Sequence, residues 1–280
     1  AHSYGGGGLV LFQRVSNTLN PSAESRRDMT TSSAPGKVYL FGEHSVVYGE
    51  PAVPCAVGRR ARVTVEERDD DRIRVEAEDL SLDGFTVTYG DDPGDADVNV
   101  PGDLVAAATG YVDGAVAQAR DAADAPDAGF SVTIESDIPL GAGLGSSAAV
   151  AVAGIDAATR ELGTTLPAEA IADRAYHAES AVQKGEASRA DTFCSAVGGA
   201  VRVEGDDCRR IDAPDLPIVV GFDGGAGDTG ELVSGVRALK ERYSFAADTV
   251  EAIGDIVRTG ARLLDSDPEA DVDEAARIGE

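Results

Sequence analysis

No apolar run in the chain approaches the roughly 18 to 20 residues that a membrane-spanning helix requires, so no bilayer-crossing segment is read from it. Positive charge is scarce: 24 basic against 50 acidic side chains leave a net charge of −26. Repulsion at that density argues against nucleic acid or anionic lipid as partners. The same acidity suits a protein that stays soluble at high salt, where ions screen self-repulsion. Lysine is rarer still, with Lys37, Lys184 and Lys240 the only three, so each invites the question of what it does. Cysteine is limited to Cys55, Cys194 and Cys208, an odd and scattered set that offers neither a disulfide framework nor metal-ligand spacing and fits a reducing cytoplasm. Methionine occurs once, at Met29. Residues 1–28 carry no periodicity and lack the charged-then-apolar order of a signal peptide, Leu9 to Phe12 being only briefly apolar. They read as an extension foreign to the fold, with translation starting at Met29; a disordered tail is the other reading.

The stretch Asp137-Ile-Pro-Leu-Gly-Ala-Gly-Leu-Gly-Ser-Ser-Ala-Ala149 organises the rest. Gly141, Gly143 and Gly145 carry no Cβ, so the backbone can turn its N–H groups inward and approach a ligand closely. Ser146 and Ser147 then open an alanine-rich helix whose first amides are unpartnered and whose dipole favours an anion. Neither the P-loop spacing nor Gly-x-Gly-x-x-Gly is present, since no Gly-Lys-Ser/Thr follows and Ser146 holds the third glycine's place. The plain alternative is a glycine-rich turn with Ser146 as helix cap.

The 280 residues suffice for two domains and a substantial core. Short strands are read at Val38–Phe41, Ala52–Val57, around Val63 and Val65, over residues 72–77 and at Phe85–Tyr89, forming a sheet with one wet face. An acidic loop, Gly90 to Val98, precedes a helix repeating Leu104, Ala108, Tyr111, Ala115 and Ala119. Phe130, Val132 and Ile134 alternate as a strand that runs into the glycine loop. A helix after Pro167 carries Ile171, Ala175, Ala178 and Val182 on one face. Val201 and Val203 mark a strand, residues 205–215 a polar linker, and Pro217–Phe222 a buried strand. Helices are expected over Thr229–Arg242, Ala246–Leu264 and a third stretch to the end. The division expected is residues 1–28, a first domain 29–208 and a second, partial domain 209–280. No internal repeat is visible.

Four patches carry chemically interesting side chains: Pro35-Gly36-Lys37 with Gly42-Glu43-His44, the glycine loop, Glu179, and Ser188-Arg189-Ala190-Asp191-Thr192. A lysine in an apolar strand is costly unless it meets an anion, although Lys37 could equally snorkel from a strand edge. His44 reads either as a ligand or as an ordinary loop histidine. Glu179 shares a helical face with Gln183 and is by default a solvated acid. Asp191 reads equally well as a helix-capping residue.

Taken together, Ala34-Pro-Gly-Lys-Val-Tyr-Leu-Phe-Gly-Glu-His-Ser-Val-Val-Tyr-Gly49, Pro139 to Ala149, and Glu186-Ala-Ser-Arg-Ala-Asp-Thr192 resemble the GHMP family of small-molecule kinases. The likeness runs from about Ser33 past Thr229. The Gly-Glu-His-x-Val-Val-Tyr-Gly form of the first motif is similar to the branch that phosphorylates mevalonate, more than to those acting on galactose or homoserine. The resemblance implies an α+β, two-domain fold: an N-terminal domain like ribosomal protein S5 domain 2 and a ferredoxin-like C-terminal domain, incomplete here. It implies ATP and Mg²⁺ as cofactors, mevalonate as the small-molecule partner, a homodimer and a place in isoprenoid synthesis.

Residue by residue, the resemblance lays the nucleotide phosphates along Pro139, Leu140, Gly141, Ala142, Gly143, Leu144, Gly145, Ser146, Ser147, Ala148 and Ala149. It gives Mg²⁺ to Ser147 and Glu179, with Glu186 the fallback, because the segment from Glu179 to Asp191 is one residue longer than the family pattern. Asp191 takes the place of the catalytic aspartate and Lys37 that of the lysine beside it. Glu43, His44 and Thr229, with Lys37 and Asp191, fall where the acceptor binds. Phosphomevalonate kinase, mevalonate diphosphate decarboxylase and a catalytically dead nucleotide binder are the rival readings. The family's third glycine-rich motif is missing, and Gly224-Gly-Ala-Gly227 comes too early to replace it. The sequence therefore reads as a gene fragment with an open sheet edge, an uncovered apolar face in its second domain and weak stability.

Overall fold

A computed structural model describes residues 29–78, 85–89, 97–98, 102–139, 142–183, 187–213, 217–221 and 229–266. Expectations for Leu140, Gly141, Lys184, Glu186, Gly224–Gly227, residues 1–28 and the last helical stretch lie outside them, as does most of the acidic loop. The strands are β1 (Thr30–Phe41), β2 (Val53–Arg68), β3 (Ile73–Glu78), β4 (Phe85–Tyr89), β5 (Asp97–Val98), β6 (Gly129–Ser136), β7 (Ala200–Glu204) and β8 (Asp207–Ile211). The helices are α1 (Gly102–Ala123), α2 (Ser146–Glu161), α3 (Ala168–Val182), α4 (Arg189–Val197), α5 (Thr229–Arg242) and α6 (Ser244–Ser266), and a 3-10 turn spans Ser45–Tyr48.

All the strands join one sheet in the order β5-β4-β3-β6-β2-β7-β8, with β1 paired to β2 off that path. Among the described residues only β3 and β6 run parallel; the other described pairs are antiparallel. The two short strands read around Val57 and Val63 are one strand, β2, because β1 and β6 pair with it along its length. Alternation along β2 and β6 aims Val63, Val65, Phe130, Val132 and Ile134 at α1 and α2, where they are buried with Val112, Val116, Val152 and Ile155. The many alanines of α2 let it lie close to β1, β2 and α1. The alternation of β7 divides its side chains: Val201 and Val203 pack with Phe193 of α4, while Ala200 packs with Val257 and Ala261 of α6. The sheet is therefore covered by helices on both faces at this end.

Two readings are corrected. The polar stretch 205–215 contains β8, paired with β7 from Glu204↔Asp207 to Ala200↔Ile211. A boundary at 208/209 falls inside that strand and would cut the hairpin. Pro217–Gly221 is not a buried strand: no described strand pairs with it, and Ile218, Val219 and Val220 are 42%, 95% and 47% exposed. Further along, Leu232 and Leu239 of α5 and Phe245 and Ile256 of α6 also face outward.

Helix α6 also braces the loop after β1. Gly42 sits at φ 82°, and a Cβ there would come within 2.9 Å of Val257 Cγ2 and 2.5 Å of the Pro51 carbonyl oxygen. Beside it Arg258 donates to Glu50 at 3.0 Å and to Glu204 at 2.9 Å, joining helix, loop and sheet. From α5, the Val233 carbonyl accepts the Tyr48 hydroxyl at 2.9 Å, and Lys240 lies 4.1 Å from the centre of the Tyr48 ring.

Ser195 Oγ is the one buried side-chain oxygen or nitrogen among the described residues without a hydrogen-bond partner. Deleting an unsatisfied hydroxyl removes its desolvation cost, so Ser195→Ala is expected to raise stability by about 1 kcal/mol. Urea unfolding checks this by a higher midpoint at unchanged slope.

Candidate active site

The glycine loop and the first motif, more than a hundred residues apart in sequence, are in backbone contact. The Lys37 amide donates to the Leu144 carbonyl at 2.9 Å. A Cβ at Gly36 would stand 2.7 Å from that same carbonyl oxygen, and one at Gly145 would stand 3.0 Å from Lys37 Cε. Glycine at position 36 is what lets strand and loop backbone approach this far, and a side chain at 145 would crowd the Lys37 stem. Gly143 and Gly145 have φ of 70° and 69°, in the left-handed region that other residues enter at a cost. Gly145, not Ser146, is the N-cap of α2, so both serines lie in the first turn, where the helix amides are free of intrahelical partners.

Register shifts between Pro35 and Lys37, and Lys37 is buried to 4% exposure. This excludes a snorkelling lysine. Its ammonium donates to the Gly143 carbonyl at 3.1 Å, lies 3.3 Å from Asp191 Oδ2 and sits 4.3 Å from the centre of the Tyr39 ring. Asp191 is in the first turn of α4, whose N-cap is Ser188, so it is not the capping residue. Its other oxygen, Oδ1, accepts the Tyr39 hydroxyl at 2.6 Å. Burial first, then the Asp191 charge and hydrogen bond, hold the Tyr39 phenol well above its ordinary range, so it stays protonated and donates. The side chain of Tyr39 is a part of the site that sequence reasoning missed, because in an apolar strand a tyrosine reads as core.

A second polar pair lies under the same loop. Ser147 Oγ donates to Glu179 Oε1 at 2.7 Å, and Glu179 is 3% exposed. Glu179 is thus not a solvated acid, and Gln183 turns instead to the Tyr111 hydroxyl at 3.3 Å. Burial, and secondarily the Asp191 charge, push the Glu179 carboxyl from 4.5 to about 8, against the lowering effects of Ser147 and Lys37. Between those two values the folded protein holds a proton that the unfolded chain has released. The stability this contributes is complete below about 4.5 and is lost as pH rises through 8. The metal-free protein should therefore weaken from pH 5.5 to 8.5 by up to ~1.4 kcal/mol per unit. Denaturant midpoints across that range check it, and Glu179→Gln should flatten the slope.

Glu43 is exposed and His44 half-buried in the loop that follows β1. Glu43 is near enough to add to the upward push on the Tyr39 phenol. His44 has φ 71°, an uncommon conformation for a side chain with a Cβ, and its ring centroid is 6.5 Å from that of Tyr48. Thr229 is the first residue of α5, the helix tied to Tyr48. Ala142, Ala148 and Ala149 follow the loop into α2, the last two fully buried. Burial raises the thiols of Cys55, Cys194 and Cys208 and keeps them out of reactive thiolate chemistry.

Known proteins share much of this sequence and fold. Residues 110–199 match the family model for the GHMP kinases N terminal domain. Mevalonate kinase of Thermococcus gammatolerans is 40% identical over 241 residues, which cover 85% of this chain and 71% of the relative. The Methanococcus jannaschii mevalonate kinase structure superposes with a TM-score of 0.62 at 23% identity, covering 90% of this chain and 74% of that one. The L. major mevalonate kinase in complex with R-mevalonate gives 0.63 at 18% identity, covering 89% and 72%. These two likenesses speak for the fold, and the archaeal sequence identity speaks for kinship. With a glycine loop seated on a buried lysine–aspartate pair and that identity across seven-tenths of a relative's length, the chain belongs to the GHMP kinases, among the mevalonate kinases.

Proposed function

We propose that the chain transfers the γ-phosphoryl group of ATP to the 5-hydroxyl of mevalonate, yielding 5-phosphomevalonate and ADP. The observation that carries this reading is the contact between Lys37 Nζ and Asp191 Oδ2, 3.3 Å, directly beneath the glycine loop. The stretch Pro139 to Ala149 holds the phosphates through the backbone N–H groups that follow the proline and the free first turn of α2. Asp191 accepts the proton of the attacking hydroxyl as the new oxygen–phosphorus bond forms. The bond to the β–γ bridging oxygen breaks, and its electron pair leaves with ADP. In a loose transition state proton removal comes late, so the position of Asp191 counts for more than its basicity. Lys37 compensates charge on Asp191 and on the transferred group at once. Glu43, His44 and Thr229 contact the acceptor.

Ser147 and Glu179 fit Mg²⁺. Both would offer oxygen, the donor this ion prefers, and their pairing at 2.7 Å brings the two together. Among the described residues no cluster of three His, Cys, Asp or Glu side chains competes as a metal site. A divalent cation is also what would hold a carboxyl this buried in its ionised form. Held by these two residues, Mg²⁺ would supply neutralisation of phosphate charge. A cytoplasmic enzyme, active as a pair of copies and adapted to high salt, completes the reading; among the described residues no helix is long and apolar enough to cross a membrane.

A coupled ADP-release assay tests the assignment, with mevalonate, phosphomevalonate, galactose and homoserine as acceptors and diphosphomevalonate monitored for carbon dioxide. Preference for any acceptor other than mevalonate overturns it. Nucleotide binding without release of ADP in any arm would leave a binding protein in its place.

A further inference from the structure

Tyr39 has no role in the chemistry described so far, yet its hydroxyl is spent on the proposed base. The phenol donates to Asp191 Oδ1 at 2.6 Å, while Lys37 Nζ lies 3.3 Å from Oδ2 of the same carboxylate. Asp191 is thus gripped at both oxygens from one strand, by side chains two residues apart on β1. The ring serves as well as the hydroxyl, for the Lys37 ammonium lies 4.3 Å from its centre. Ser188, at the start of α4, is near enough to the phenol to oppose the upward push on it, and it makes no capping bond to its own helix. The groups facing the phenol are therefore Lys37 from its own strand, Ser188 and Asp191 from α4, and Glu43 from the loop beyond β1.

We propose that Tyr39 is a positioning residue for phosphoryl transfer: its hydroxyl fixes the rotation of the Asp191 carboxylate, so that Oδ2 faces Lys37 and the acceptor hydroxyl. A carboxylate on an aspartate side chain turns freely about its last bond, with a broad, two-fold preference. Lys37 alone, a compact charge with rotatable donors, attracts either oxygen and fixes neither. A short hydrogen bond from a neutral donor on a rigid ring removes that freedom. It also leaves lone pairs on Oδ2 for the incoming proton. Position is what a loose transition state draws upon, so the gain falls on the chemical step and not on binding.

This inference rests on the kinase reading, and the test separates the two. Tyr39→Phe keeps the ring against Lys37 and removes only the hydroxyl. The expected result is a kcat about tenfold lower with KM for ATP and for mevalonate unchanged, the loss expected for one charge-assisted hydrogen bond acting on the reacting geometry. Tyr39→Leu, which also takes away the ring, should lose more. Wild-type kcat in Tyr39→Phe overturns the proposal. So does a parallel fall in unfolding midpoint with KM rising alongside, since that marks a packing residue only. Proton NMR reads the bond without turnover: a downfield hydroxyl resonance is expected in the wild type, absent from Tyr39→Phe and displaced in Asp191→Asn. If the wild type phosphorylates none of the acceptors, the functional reading falls, and that resonance alone decides whether Tyr39 holds the carboxylate; its absence refutes the grip.

Discussion

Asp191→Asn is expected to reduce kcat by about three orders of magnitude while leaving the affinity for ATP close to that of the wild type. The substitution preserves shape and can keep the Tyr39 contact through the amide oxygen, but it removes the acceptor for the hydroxyl proton. General base catalysis of this kind contributes roughly 10²- to 10⁴-fold. It also leaves Lys37, 4% exposed, without the anion beside it. That charge keeps the Gly143 carbonyl and the Tyr39 ring but loses its nearest anion, so part of the cost appears as a lower unfolding midpoint. Initial rates over a range of ATP and mevalonate concentrations, with nucleotide binding measured separately by calorimetry, check the split. An unchanged rate would make Asp191 a structural anion for Lys37 and nothing more.

Lys37→Met should fail differently. A thioether of similar length fills the same space but loses the ammonium, and with it the hydrogen bond to the Gly143 carbonyl and the charge beside Asp191. Removing one preorganised donor from a developing charge costs on the order of 10²- to 10³-fold in kcat. Because the same ammonium pins the loop at Gly143, KM for ATP should rise as well, which it does not in Asp191→Asn. The backbone bond from Lys37 to Leu144 survives the change, so the loop loosens without detaching. Lys37→Arg is expected to recover little, since the close approach of Gly145 to the lysine stem leaves no room for a planar fork. Steady-state kinetics of the three proteins distinguish these outcomes.

How far the sequence foretold this site depends on what kind of signal each residue carries. The glycine loop and its helix were legible directly, because Gly143, Gly145 and the serines after them have meaning in backbone chemistry alone. The same holds for α1, α3, α5 and α6, whose apolar residues recur at helical spacing. The meeting of Lys37 with Asp191 was not legible in that way. Nothing local joins positions so far apart, and only the resemblance brought them together before the β1 bulge and the first turn of α4 were seen to do so. Tyr39 escaped because alternation in a strand tells which face a side chain takes and not which polar atom it will meet. The β7–β8 hairpin escaped because Asp207-Cys-Arg-Arg-Ile211 is mostly charged, and its pairing is fixed by its partner strand. Pro217–Gly221 misled in the opposite sense: an apolar run of β-formers predicts a strand, but a strand exists only beside another.

The wedging of Gly42 against Val257, with Arg258 tethered to Glu50 and Glu204, means that the loop proposed to meet the acceptor is shaped from behind by a helix more than 200 residues later in the chain. A tilt of α6 would pass through that wedge to Glu43 and His44 before any residue of the phosphate cradle felt it. On the proposed reading the two halves of the reaction are governed from separate places: the donor end by neighbours within the sheet, and the acceptor end by the last of the described helices.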